Sequence, residues 1–419
     1  MNPEESPAEI ATRTRTLVIS AFSLGLAFAV WFMWSAIPLR LNDVGFHFSR
    51  QQLFWLSATP VILGSVLRIP YGMIVSRFGS RRSFAAVTFV LIFPCIFTGI
   101  VVTNPASSFP LLLSAAAMSG IAGANFATSM AVVSLWFPKH MQGTALGING
   151  LGNFGVTTAQ LTIPAAIMFA PFPGTGGARV SAPFLGNAAY LWVIPALLLT
   201  AAIWFGTTDK EVPAQSLASQ LVAGKRRDTW LLSTLYFLTF GCFVAMGASL
   251  PLVIKEVFRA APGGAPTPLH YAPWAAAIAT IMRPIGGTLA DRFGGGRVTA
   301  FAIGGMALGG MSLSGTPQPD QFVRFFALIL IVCGAAGIGN GSIFKMIPRL
   351  LPSTEAAAGI GIVSCLGAIG GFIPPLILGW TLDHRGTPGP AYAGMAIFAA
   401  ACFALNGWFY VRRNSPSHC

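Results

Sequence analysis

Charge is scarce in this chain of 419 residues: Asp, Glu, Lys and Arg together make up 9% of it, against roughly 25% in soluble domains. So little charge cannot cover a water-facing surface, which excludes the two or three soluble domains that the length alone suggests. Acidic residues are the scarcer sign, 12 against 25 Lys and Arg. All of them (Glu4, Glu5, Glu9, Asp43, Asp209, Glu211, Asp228, Glu256, Asp291, Asp320, Glu355 and Asp383) fall in a tail, a loop or an expected helix end. The five histidines (His47, His140, His270, His384 and His418) are placed likewise. The apolar runs are therefore expected to hold no general base and no metal cluster, which argues against an enzyme; no metal and no cofactor is expected. The six cysteines form no Cys-x-x-Cys pair and are expected to be small apolar fillers.

Hydrophobic residues reach 54%, with 33 Phe, 10 Trp, 47 Gly and 30 Pro, and the mean hydropathy is +0.70. This composition suits helices packed in lipid, where Gly and Pro are commoner than in soluble helices. A net charge of +13 would suggest a nucleic-acid partner for a soluble protein. Here the basic residues fall between apolar runs and not along one stripe, so the expected partner is the lipid bilayer and not nucleic acid.

Runs long enough to cross about 30 Å of hydrocarbon occur near residues 17 to 38, 51 to 76, 83 to 103, 108 to 137, 142 to 170, 186 to 206, 229 to 254, 271 to 290, 298 to 315, 322 to 350, 356 to 380 and 391 to 411. The expected fold class is an all-α polytopic membrane protein with twelve transmembrane helices. The polar start, Met1 to Thr16, holds Glu4, Glu5 and Glu9, and no small-residue cleavage site follows the first run. That run is expected to be a retained span and not a signal peptide. With the N-terminus inside, the alternate connections place sixteen basic residues inside and seven outside, which predicts that both termini are cytoplasmic. The longest polar connection divides the chain into a six-helix half at 1–206, a cytoplasmic linker at 207–228 and a second six-helix half at 229–419. Within the linker, Pro213 to Val222 reads equally as an amphipathic helix on the inner surface and as plain linker.

A repeat runs through both halves at an offset of 215 residues. Arg68-Ile-Pro-Tyr-Gly72, followed by Ser76-Arg77-Phe78-Gly79, matches Arg283-Pro-Ile-Gly-Gly287, followed by Asp291-Arg292-Phe293-Gly294. The same offset carries Asn125 to Asn340, Gly152 to Gly367 and Gly155 to Gly370, and an offset of 214 carries Gly120 to Gly334, Gly123 to Gly337 and Pro138 to Pro352. Matches in register across three helix pairs predict two pseudo-symmetric halves with a substrate site between them near the bilayer midplane. The segments from Gly72 and from Gly287 resemble the cytoplasmic signature of the major facilitator superfamily, with Ser76 where the pattern usually has Asp. That resemblance implies the major facilitator fold.

Arg68 and Arg283 belong to no loop. A charge near the bilayer centre costs about 2.5 to 3.5 kcal/mol even on a lenient insertion scale, and no Asp or Glu is placed to offset it. Two symmetric arginines facing one cavity without a fixed counterion predict a mobile anion as the partner. The guanidinium fork matches two oxygens of a planar oxyanion, and charge-assisted bonds of this kind are worth about 1.5 to 3 kcal/mol each. A competing reading, in which backbone carbonyls and water satisfy both arginines, accounts for neither the pairing nor the symmetry. Lys345, about two turns from the inner end of the tenth run, is expected to snorkel or to pair near the cytoplasmic mouth.

The fifth run carries Gly147, Gly150, Gly152 and Gly155, and its counterpart carries Gly361, Gly367 and Gly370. Bare faces of this kind let helices approach closely and slide, so these glycines are candidates for helix packing or gating. Gly123-Ala-Asn125-Phe126 with Ser129 and Met130, then Phe137-Pro138-Lys139, then Gln142-Gly143-Thr144 through Gly152-Asn153-Phe154-Gly155, resembles the nitrate signature of the nitrate/nitrite porter family. The resemblance implies exchange of nitrate and nitrite by alternating access in a bacterial inner membrane. It further implies that Arg68 and Arg283 clamp the anion, Asn153 and Tyr236 add hydrogen bonds, Phe126 and Phe240 cover its flat faces, and Phe28 closes the pocket. Tyr236 and Phe240, four residues apart, share a helix face. A proton-coupled nitrate symporter and an exchanger of small carboxylates such as formate or oxalate stay open as alternatives. Exchange is favoured because no Asp, Glu or His titrates along the expected path. A monomer is expected.

Overall fold

The computed structural model describes residues 6–169, 183–210, 222–315, 318–352 and 355–412. Among these residues there is no β-strand element, and seventeen helices have ten residues or more. In the first half they are α1 (Pro7–Phe32), α2 (Arg50–Val66), α3 (Arg68–Phe78), α4 (Ser80–Phe89), α5 (Ile92–Thr103), α6 (Phe109–Ser119), α7 (Ile121–Trp136), α8 (Lys139–Asn149), α9 (Gly155–Ala166) and α10 (Val193–Gly206). In the second they are α11 (Arg227–Val257), α12 (Pro268–Phe293), α13 (Gly295–Ser314), α14 (Phe322–Leu350), α15 (Ala356–Ile369), α16 (Ile373–Arg385) and α17 (Gly389–Asn406). The stretch Pro213 to Val222 lies, but for Val222, outside the described residues.

Local chemistry sets several of these boundaries. Ser6 with Glu9, and Ser49 with Gln52, form capping boxes that open α1 and α2, each satisfying two backbone donors left free at a helix start. The turns α3–α4 and α12–α13 pivot on Gly79 and Gly294, at φ +87° and +90°; they are repeat partners, and only glycine takes that backbone region without strain. Pro70 has no N–H to give the carbonyl of Val66, and the second expected run divides there into α2 and α3, with Leu67 between them. The fifth run likewise divides at a 3₁₀ turn, Gly150–Phe154, rich in glycine.

Nine helical stretches among the described residues are long and apolar enough to cross a membrane. The expected runs at 142 to 170, 271 to 290 and 298 to 315 are helical over 142–166, 271–290 and 298–314, but are not among the nine. Glycines, polar amides and Arg283 dilute their apolar character, because they carry interior surface and not only lipid-facing surface. α11 is buried along almost all of its length, whereas α10 and α17 face outwards. Side chains such as Phe205, Val323 and Phe301 are exposed on the outside of the bundle, the surface that lipid covers.

The packing repeats with the sequence. α1 lies against α7 and α9, and α3 against α7; α11 lies against α14 and α15, and α12 against α14. Between the halves, α2 meets α15 and α16, α3 meets α15, and α9 meets α12.

Candidate anion site

Arg68 opens α3 directly after the break, and Arg283 lies on the buried face of α12. Their side chains are 0% and 8% exposed, and both guanidinium groups stand over the same two rings. Arg68 Cζ is 4.7 Å from the Phe126 centroid and 5.1 Å from that of Phe240; for Arg283 Cζ the distances are 5.5 and 6.0 Å. Trp31 faces Arg68 at 5.5 Å, and Phe344 faces Arg283 at 4.9 Å. The negative face of an aromatic ring attracts a cation, so this shared wall of rings partly offsets the burial of two like charges.

Among the described residues no carboxylate lies within ion-pair distance of either arginine. Arg68 is not without partners, however. Its Nε donates to the Gly123 carbonyl at 3.3 Å and its Nη1 to the Ser364 carbonyl at 3.0 Å, so for this arginine backbone carbonyls take up part of the hydrogen bonding, as the competing reading expected. Glycine-lined backbone brings a carbonyl within reach of the long side chain. Carbonyls are neutral, so the positive charge itself stays uncompensated. Arg68 Nη2 and Arg283 Nη1 are buried with no hydrogen-bond partner in the protein.

The Tyr236 hydroxyl is also buried, beside Arg283 but without a well-formed hydrogen bond. Its ring stacks on Phe240 with centroids 5.0 Å apart and planes 3° from parallel, which is the shared helix face expected from their spacing. Phe126 and Phe240 stand 6.4 Å apart at 38°. That is slightly less than two carbon contacts of about 3.5 Å, so a flat ion fits between these rings only when they part a little and turn towards parallel. Asn153 lies in the 3₁₀ turn with its amide oxygen buried and unpartnered, and its amide nitrogen is the end that can donate to an anion. Phe28 is fully buried and touches Phe126 edge-on, with centroids 6.4 Å apart, one ring behind the arginines.

The glycines divide into two kinds. A Cβ at Gly152, Gly155, Gly367 or Gly370 would collide with Leu24, with the Gly25 carbonyl and Phe28, with Tyr236, or with Phe237. These four are packing positions. Gly147 and Gly361 have no atom within 4 Å of such a Cβ, so close packing does not hold at these two in this conformation. Gly150 lies beside Arg283, whose Nε would be 3.8 Å from its Cβ. Neighbouring Asn149 turns away and donates to Ser129 Oγ at 2.8 Å.

A cavity of about 200 Å³ extends from Arg68 and Phe126 past Phe344 and Gly361 to Ser134, Leu146 and Ala358. It reaches the end of the bundle where α3 and α7 finish and α8 and α15 begin. Around that end Lys345 pairs with Asp291 at 2.8 Å within the second half, whereas Arg81 with Asp209 at 3.7 Å and Arg226 with Glu355 at 2.7 Å each tie one half to the linker. The hydrogen bonds from Arg226 hold the Glu355 carboxyl below the usual carboxylate range. Lys345 thus pairs away from the arginines. At the opposite end the halves are tied together. Arg50 reaches Glu256 at 2.8 Å and Asp383 at 3.6 Å, Lys255 reaches Asp43 at 3.9 Å, and Gln160 donates to the Gly247 carbonyl at 2.8 Å.

Trp31, Phe344 and the carbonyls of Gly123 and Ser364 were not singled out by the sequence. Trp31 lies one helical turn from Phe28, a weak signal. Phe344 has no aromatic repeat partner, since Ser129 stands 215 residues before it.

The family model of the Major Facilitator Superfamily matches residues 17–373 and 276–418. The chain is 38% identical to the nitrate/nitrite transporter NarU of Escherichia coli, over 95% of this chain and 92% of that one. It is 34% identical to the probable nitrate/nitrite antiporter NarK2 of Thermus thermophilus, over 100% and 97%. With the nitrite extrusion protein of Bacillus subtilis it shares 32% identity over 96% of each chain. Among solved structures, a bacterial homologue of the human lysosomal transporter Spinster, inward-facing and occupied, superposes with a TM-score of 0.69 at 17% identity, covering 96% of this chain and 97% of that one.

Proposed function

Since the chain belongs to the major facilitator superfamily, we propose that it exchanges nitrate and nitrite across a bacterial inner membrane by alternating access. The carrying observation is the pair of buried guanidinium groups over shared aromatic rings, each with an unpartnered nitrogen and with no carboxylate of the described residues within ion-pair distance. Such a site is completed by a small planar anion, which offers oxygens to both forks. The names of the relatives specify nitrate and nitrite among such anions.

Arg68 and Arg283 bind the anion from opposite halves. Tyr236 and Asn153 donate to its remaining oxygens, Phe126 and Phe240 flank it, and Phe28 backs Phe126. The halves, 1–206 and 229–419 joined by the linker 207–228, rock about this point. Twelve helices cross the bilayer, with both termini and the open cavity on the cytoplasmic side, where basic residues concentrate. The ties of Arg50 and Lys255 then close the outer side. All the proposed ligands come from one chain, which supports a monomeric carrier.

The test is uptake of labelled nitrate by nitrite-loaded proteoliposomes, with and without a pH gradient. Exchange that is independent of the gradient is expected. Equal counterflow with formate would favour a carboxylate exchanger instead.

A further inference from the structure

We propose that Phe344 is the inner door of the anion site, standing between the cytoplasmic cavity and the guanidinium group of Arg283 and shielding it while no anion is bound. The inference rests on the reading of the arginine pair as an anion site, and it names the residue that controls entry and exit on one side.

Four observations carry it. Phe344 lines the cavity together with Arg68 and Phe126. It is half-buried, whereas Arg68, Phe126, Tyr236 and Phe240 are at most 1% exposed, so it is the ring of this cluster that shows a face to the cavity. Its centroid is 4.9 Å from Arg283 Cζ, nearer than Phe126 or Phe240. It is wedged against Tyr236 at 5.0 Å and edge-on to Phe126 at 6.2 Å.

An anion arriving through the cavity meets this ring before it meets Arg283 Nη1. To bind, it displaces the ring and replaces a cation–π contact with charge-assisted hydrogen bonds; on leaving, it lets the ring return. Rotation of one half-buried phenyl group between staggered rotamers needs no backbone rearrangement, so the door moves on its own while the halves stay fixed. A closed ring also keeps water from the guanidinium pair, which preserves the attraction for the next anion.

The experiment compares wild type with Phe344→Ala and with the milder Phe344→Val, purified and reconstituted. The first readout is modification of Arg283 by methylglyoxal, followed by peptide mass spectrometry. Roughly tenfold faster modification is expected for Ala, the scale of losing one shielding contact in a desolvated site, with an intermediate rate for Val. The second readout is nitrite efflux into anion-free medium relative to exchange, which is expected to rise by a similar factor as the site loses its closure. An unchanged Arg283 modification rate in whichever variant folds would overturn the door, whatever the anion. If wild type moves neither nitrate nor nitrite, the function proposed above fails, and the modification rates still decide the role of Phe344.

Discussion

Arg68 in α3 donates through Nη1 to the carbonyl oxygen of Ser364 in α15, at 3.0 Å. One side chain thus does two things: it keeps an unpartnered Nη2 at the candidate anion site and ties the first half of the chain to the backbone of the second. Arg283 does only the first. The repeat makes the two arginines equivalent in sequence, and packing makes them unequal.

That inequality is measurable. Arg68→Lys and Arg283→Lys keep the charge but lose the planar fork, so each is expected to reduce nitrate exchange by at least about tenfold while the protein still inserts. Arg68→Lys additionally loses a charge-assisted bond worth about 1.5 to 3 kcal/mol and is expected to show the lower melting temperature. Near-normal exchange by either variant would remove the arginine clamp.

For the flanking rings, truncation to Ala would confound affinity with a core cavity worth about 3 to 5 kcal/mol. Phe126→Leu and Phe240→Leu keep most of the volume and lose the flat face. Both are expected to weaken nitrate binding by about tenfold, whereas Phe301→Leu, at a position 75% exposed on the outer surface, leaves it unchanged. Equal small effects at all three, by calorimetric titration, would return Phe126 and Phe240 to simple packing.

Gly147 and Gly361 are repeat partners at an offset of 214 and face open space, Gly361 in the lining of the cavity that reaches Arg68. Closing that cavity must bring the facing helices together, and bare positions permit the approach. Gly147→Val and Gly361→Val are therefore expected to fold with wild-type thermal stability and to lose exchange, arrested with the cavity open. Gly155→Val, by contrast, meets the Gly25 carbonyl and Phe28 and should be destabilised outright. Wild-type exchange by both of the first two variants would exclude them from the closing surface.

Coupling follows from the same electrostatics. Empty, two like charges in one cavity repel, by about 2 kcal/mol for a pair roughly 8 Å apart at an effective dielectric near 20, which disfavours closing the cavity without an anion. Arginine does not deprotonate in the accessible range. Proteoliposomes with no internal nitrate or nitrite are accordingly expected to show little uptake under an inward proton gradient. Strong concentrative uptake in that assay would establish symport in place of exchange.

Much of this was legible in the sequence because it depends on composition and on spacing. Nine per cent charge cannot clothe a soluble surface, and apolar runs of bilayer length must be helical, since lipid offers nothing else to bond their backbone. A repeat in register makes Arg68 and Arg283 equivalent in sequence, and the lack of nearby acids predicts an external partner for their charge. Tertiary structure alone decided which neutral groups share the burden. The carbonyls of Gly123 and Ser364, the ring of Phe344 and the empty space at Gly147 and Gly361 depend on which helix faces meet, across separations of 55 to 296 residues for the two carbonyls. Local sequence sets the helices and their bare faces, but contacts at such range arise only when both halves are packed. That is why the helices and the paired arginines could be anticipated, while the carbonyl ties, the place of the Phe344 ring and the state of opening could not.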